Sequence, residues 1–285
     1  MKTLLLIGNR GMLGSYLFKY VPSTASGGQL KLVGADVPEI DIADPGSVAG
    51  IFSRERPSIV VNCAAYTNVD GAETEKELAF RVNACGPEIL ARAAAATGAL
   101  LVHVSTDFIF DGAGGAAYRE DDKPNPLCVY AKSKLAGEEA VRRIAPEYLI
   151  VRTAWLYGPN GRNFVDTVLG IAGQKGTLTV VDDQVGSPTF TAVLSEYLWK
   201  LVEHGARGVF HLAGSGACTW FDLALQAVQF AGIKATVTPC TTAEFPRPAR
   251  RPPNSALAVA KAEALLGEKI PDWRSGLHRY LTGVF

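Results

Sequence analysis

The sequence predicts an α/β fold, a doubly wound parallel sheet with a smaller C-terminal lobe. Three observations carry that prediction. Apolar runs recur along the chain and alternate with Ala-rich stretches of helical period. The runs are continuous rather than alternating in polarity, as strands covered on both faces require. A glycine-punctuated turn follows the first run and opens the first helical stretch. At 285 residues the chain is long for one compact core and sufficient for a large α/β domain with an added lobe.

Strands are expected over residues 4–7, 30–35, 59–62, 100–104 and 148–152. Helices are expected over 13–20, 47–55, 88–96 and 133–144, between the strands. After Tyr157 the pattern loosens under Pro159, Gly161, Gly170, Gly173 and Gly176, and the stretch 239–253 is rich in Pro and Arg. We read residues 1–157 as a dinucleotide-binding lobe of Rossmann type and 158–285 as a substrate-binding lobe closing over the sheet's carboxyl edge. The helical stretch 187–204 and the strand-like 209–212 are expected to return to the first lobe, which puts 187–212 with it.

Composition excludes several classes of function. Twenty-eight Lys and Arg balance 28 Asp and Glu, so the basic excess needed to neutralise nucleic acid or a membrane surface is absent. With 48% hydrophobic residues, the chain buries enough surface to be ordered. Its five cysteines, Cys63, Cys85, Cys128, Cys218 and Cys240, are scattered and form no metal-binding or disulfide pattern, which suits a reducing cytoplasm. The opening apolar run stops at Gly8, too short for a signal peptide, and no apolar stretch reaches membrane-spanning length.

The turn holds Gly8, Gly11 and Gly14. This spacing gives a tight turn at Gly8, close backbone approach to a pyrophosphate at Gly11, and helix–strand packing at Gly14. The helix start adds free N–H groups for the phosphates. Asp36, 22 residues beyond Gly14, ends the second strand, where a carboxylate holds ribose hydroxyls and favours NADH. Arg10 precedes Gly11, where a guanidinium meets the 2′-phosphate of NADPH. Both cofactors stay open.

Tyr130 and Lys134 stand at i and i+4 on one helix face, and Ser105, Thr106 and Asp107 follow the fourth strand at the ligand-binding edge. Hydride transfer to a carbonyl develops an alkoxide that needs a proton and a hydrogen-bond donor. A lysine charge about 4 Å from a phenol is worth roughly 4 kcal/mol at an effective dielectric of 20. That is about three pKa units, enough to bring the phenol near 7. Tyr130 is therefore the expected proton donor and Lys134 its electrostatic partner, also bonded to the nicotinamide ribose. Thr106 polarises the carbonyl, with Ser105 as fallback.

These residues resemble the extended short-chain dehydrogenase/reductase superfamily. The stretches 62–70 (NCAAYTNVD), 105–111 (STDFIFD), 152–157 (RTAWLY), 183–189 (DQVGSPT) and 251–255 (RPPNS) are similar to those of its dTDP-4-dehydrorhamnose reductases, over nearly the whole chain. The resemblance implies reduction of the C4 ketone of dTDP-4-dehydro-L-rhamnose by NADPH or NADH. It places Gly11, Met12 and Leu13 at the cofactor phosphates, Asp41 and Ile42 beside adenine, and Ala64, Ala65 and Thr67 along the nucleotide path. Thr106, Asp107 and Trp155 meet the sugar, with Val69 near it. Two positions depart from the family pattern: Phe108 replaces a common tyrosine, and Tyr16 stands where some members have a carboxylate ligand of an interface Mg²⁺. No metal is therefore expected, and the chain is read as a monomer or homodimer.

Other candidates have two readings each. Trp155 either fills core or stacks on substrate, as does Phe164. Arg247, Arg250 and Arg251 are solvated or face a diphosphate, with Arg251 favoured by its motif. His103 and His211 read as core histidines and Cys63 as small packing. Asn83 either supports the active-site helix or caps a helix. Two alternative functions remain at this level: a sugar-nucleotide epimerase or dehydratase of the same superfamily, and a non-catalytic NADP-binding subunit resembling that of methionine adenosyltransferase.

Overall fold

The computed structural model of the chain describes residues 2–24 and 30–283. Six parallel strands form one sheet in the spatial order Gly208–His211, Tyr148–Thr153, Leu100–Thr106, Ile59–Asn62, Lys2–Ile7 and Leu30–Ala35. Side chains alternate faces along each strand, and both faces are apolar. Leu4, Leu6, Val61, Val102 and Val151 enter a core shared with the helices Met12–Thr24 and Thr191–Glu203. Leu5, Ile7, Val60, Leu101 and Ile150 enter a second core beneath Pro45–Glu55, Gly86–Thr97 and Val129–Ile144. This double coverage is why the strands read as unbroken apolar runs.

The first strand has the second on one side and the third on the other, so the winding reverses there. A crevice opens outside the carboxyl ends of strands at such a reversal. Beyond Tyr157, the helices Phe164–Lys175 and Trp220–Phe230 pack on a two-stranded parallel pair, Thr177–Val181 with Thr236–Cys240, around Val168, Ala172, Ala224 and Val228. The strand Gly208–His211 pairs with Tyr148–Thr153 at the edge of the large sheet.

Several bounds differ from the sequence expectation. The fourth strand continues through Thr106, and the helix expected from 133 begins at Val129. Tyr130 thus lies in its first turn. The helix expected from 187 begins at Thr191, because Thr189–Phe190 pairs in parallel with Leu156–Tyr157 and Pro188 precedes it. Among the described residues no helix is long and apolar enough to cross a membrane.

Candidate active site

The glycine turn is built by contact as much as by conformation. Gly8 has φ +77°, and a Cβ there would stand 2.8 Å from the Ala64 backbone nitrogen, across the reversal point. At Gly14 a Cβ would meet the Gly8 carbonyl oxygen at 2.0 Å, so only glycine lets the helix start lie on the turn. Gly11 is different: its nearest such neighbour is the Gly8 oxygen at 3.4 Å, which leaves its backbone open to a ligand. Gly8, Gly11, Met12 and Leu13 all line one cleft of about 710 Å³. A turn with this opening at a helix start fits a dinucleotide's pyrophosphate.

Thr106, Asp107, Tyr130 and Lys134 reach the same cleft from the end of the fourth strand and the helix Val129–Ile144. The Thr106 hydroxyl donates to Asp107 Oδ1 at 3.0 Å and accepts from the Phe108 N–H at 3.2 Å. Lys134 is buried, and its Nζ donates to the Val104 carbonyl at 2.7 Å. Burial lowers Lys134 to about 8, against the opposing pull of Glu138. Asp107 is 2% exposed, and burial raises it to about 6 while Ser255 and Thr106 pull it down.

The phenol contradicts one expectation. Tyr130 is raised above the usual tyrosine value, first by burial and then by Asp107 and Cys128, with Thr106 opposing. Burial dominates, and the Lys134 ammonium is engaged by the Val104 carbonyl. The phenol is thus held protonated at neutral pH rather than brought near 7.

Asp36, Asp41, Ile42, Ala64, Ala65 and Thr67, the residues expected along the adenosine path, line the same cleft. Asp36 is fixed by the N–H groups of Arg10 (3.1 Å) and Val37 (2.8 Å). Arg10 itself does not line the cleft: its guanidinium pairs with Glu39 and donates to the Val37 carbonyl at 2.8 Å. Arg251 also stays outside the cleft lining. Asp70, 181 residues earlier, takes its guanidinium in a bidentate pair at 3.1 and 3.0 Å, which ties the C-terminal segment to the loop carrying Val69.

Val69, Phe108 and Trp155 line the cleft as well. Phe108 meets Tyr130 edge to face at 6.1 Å. Trp155, with φ 45°, lies parallel to Trp220 at 3.5 Å, and a Cβ on Gly186 would strike its indole. Phe164 packs on Trp220 at 4.5 Å. Trp220 and Arg162 also line the cleft and were not anticipated. The capping box of Thr219 and Asp222 marks the helix start beside Trp220, whereas nothing in the sequence marks Arg162.

A family profile for the RmlD substrate binding domain matches residues 1–284. The dTDP-4-dehydrorhamnose reductase of Mycobacterium tuberculosis is 43% identical over 282 residues, covering 96% of this chain and 90% of that protein. The chain belongs to the RmlD family of dTDP-4-dehydrorhamnose reductases. A spore coat polysaccharide biosynthesis protein of Bacillus subtilis is 38% identical over 286 residues, covering 99% of this chain and 97% of its own length. The crystal structure of a Bacillus anthracis dTDP-4-dehydrorhamnose reductase in complex with NADP superposes with a TM-score of 0.94 at 36% identity, over the whole of both chains.

Behind the cleft, the RmlD chain holds its active-site helix in place with buried polar groups. Asn83 lies in a π-helical turn, Arg81–Cys85. Its Nδ2 donates to Ser133 Oγ and to the Tyr66 carbonyl, both at 3.0 Å, and its Oδ1 accepts from the Tyr66 N–H at 2.8 Å. It therefore supports that helix and caps none. Arg152 forms a bidentate pair with Glu138 while donating to the Glu120 carbonyl at 3.1 Å. His211 lies beside this pair, and burial with the Arg152 charge lowers it to about 3. His103 is buried against Asn62 (3.2 Å) and lowered well below its ordinary value by burial. Burial pushes Cys63 up to about 12, which leaves an inert thiol. Tyr16 packs on Tyr20 and Phe190, and among the described residues no three carboxylate, His or Cys groups are arranged to hold a metal.

Proposed function

We propose that the chain reduces the C4 ketone of dTDP-4-dehydro-L-rhamnose to dTDP-L-rhamnose, with NADPH or NADH as the reductant. The observation that carries this reading is the cleft itself, in which an open glycine turn, Thr106, Tyr130 and Lys134 meet at one sheet edge. The reduced dinucleotide, when bound, supplies a hydride. Gly8, Gly11, Met12 and Leu13 would hold its pyrophosphate, Asp36 its adenosine ribose, and Asp41 and Ile42 its adenine. Ala64, Ala65 and Thr67 line its path.

Tyr130 gives its hydroxyl proton to the sugar oxygen, and its raised pKa keeps that proton in place until negative charge develops. Thr106 donates to the same oxygen. Lys134, one helical turn from Tyr130, brings positive charge to the cleft and would bond the nicotinamide ribose. Asp107, Val69 and Trp155 position the sugar. We infer a division into a dinucleotide-binding part, 1–157 with 187–212, and a substrate-binding remainder. Five free cysteines suit a reducing cytoplasm, and the oligomer is a monomer or homodimer.

The test is NAD(P)H oxidation with enzymatically generated dTDP-4-dehydro-L-rhamnose, beside GDP- and UDP-linked ketosugars. Stoichiometric oxidation with the dTDP sugar supports the reading. Turnover without net oxidation points to an epimerase, and a stoichiometric partner protein without turnover points to a regulatory subunit.

A further inference from the structure

The cleft is lined by three carboxylates, Asp36, Asp41 and Asp107, against two cations, Lys134 and Arg162. Both proposed ligands are diphosphates, so the placement of each cation matters. Lys134 is buried and engaged by the Val104 carbonyl. Arg162 is exposed, and its side chain has no ion pair or hydrogen bond to any described residue.

Arg162 is nevertheless fixed on both sides. Gly161 lies flat on Met12, with only 3.0 Å between an added Cβ and Met12 Cε. Asn160 Nδ2 donates to Ser15 Oγ at 3.2 Å. Asn163, on the other side, is buried: its Nδ2 donates to the Gly158 carbonyl at 3.0 Å, and its Oδ1 accepts from the Asp166 N–H at 2.9 Å to open the helix Phe164–Lys175. The loop 158–163 therefore crosses the first turn of the helix Met12–Thr24, directly after Gly11.

We propose that Arg162 is a cofactor-binding residue that grips the pyrophosphate of NAD(P)H from the loop that crosses the helix start beside the glycine turn. The inference rests on the reading of this cleft as a dinucleotide site. Backbone N–H groups at the turn cover one side of a diphosphate, and a guanidinium fork supplies full charge to its remaining oxygens. The contacts to Met12 and Ser15 assign the residue to the cofactor's diphosphate rather than the sugar nucleotide's. Arg247 and Arg251, both drawn to Asp70, lie outside the cleft lining.

Calorimetric binding of NADPH, ADP-ribose and dTDP to the full chain tests the assignment, with wild type compared to Arg162→Gln and Arg162→Lys. Arg162→Gln should weaken NADPH and ADP-ribose alike by roughly tenfold and flatten their salt dependence, with dTDP changed by less than about twofold. Arg162→Lys should restore part of the loss, and neither variant should alter the melting temperature of the ligand-free protein. Unchanged ADP-ribose affinity overturns the proposal. So does a loss of dTDP affinity with NADPH binding intact. If wild type binds ADP-ribose through Arg162 yet fails to reduce the dTDP sugar, the functional reading fails and this one stands.

Discussion

Two cations are buried against one helix, and they behave in opposite ways. The helix Val129–Ile144 carries Tyr130, Lys134 and Glu138 four residues apart, all on its inner side. Arg152, 2% exposed, meets Glu138, 1% exposed, through two guanidinium nitrogens, and the Glu120 carbonyl takes a third N–H. One turn nearer the cleft, Lys134 is as deeply buried but hydrogen-bonds only a carbonyl, and burial lowers its pKa to about 8 even against the more distant pull of Glu138. Asp107, also lining the cleft, is a buried carboxylate with no ion pair among the described residues, and its pKa rises to about 6. Burial with a directly paired countercharge makes structure. Burial without one leaves groups that titrate near neutral pH, where proton chemistry is done.

The largest effect expected is at the chemical end. Tyr130→Phe should lower single-turnover reduction by about a thousandfold or more while leaving NADPH affinity nearly unchanged, because only the transferable proton is removed. Ordinary turnover in that variant would remove the acid assignment and, with it, the functional half of the comparison.

The structural half breaks next. Arg152→Met strands the Glu138 carboxylate in the core and should cost about 3–5 kcal/mol in urea unfolding. Adding Glu138→Gln should recover part of this, since the second change removes the orphaned charge. If the single substitution proves neutral, the pair does not hold the helix.

Asp107→Asn should act in the reverse direction on stability. The folded carboxyl titrates near 6 and the unfolded one near 3.8, so the folded state binds more protons between these values and stability falls as pH rises through them. Above pH 6 the ionised, buried group carries a penalty of at most about 3 kcal/mol. The asparagine variant should therefore melt higher than wild type at pH 7.5, match it near pH 4, and reduce the sugar more slowly. Equal melting at both pH values would show that Asp107 carries no such penalty.

The sequence made the strand–helix alternation and most of the cleft legible for a physical reason: those signals are local. Continuous apolar runs follow from a sheet covered twice, and the glycine spacing follows from contacts within one turn. What escaped depends on distance or depth. Arg251 could not be assigned without Asp70, and Arg10 without Glu39, because each partner is brought in by the fold. Arg162 sits in a loop with no periodicity, and only the crossing over Met12 gives it meaning. The i,i+4 spacing correctly put Tyr130 and Lys134 on one helix face. It carried no information about desolvation, which decided the direction of the phenol's pKa.

The smallest effect bears most directly on the comparison, because it links the two halves. If the Lys134 ammonium serves the reaction, kcat/KM should fall as pH rises through about 8, where the charge is lost. Glu138 is one of the groups holding that charge, and it is shared with Arg152. In Glu138→Gln the ammonium loses a favourable neighbour and gains an uncompensated guanidinium, and both changes act in the same direction. The basic limb should move to lower pH by a fraction of a unit, with the acidic side unmoved. A pH–rate profile on the folded variant reads this directly. A limb that stays fixed separates the two sites electrically and leaves the lysine's pKa to burial alone.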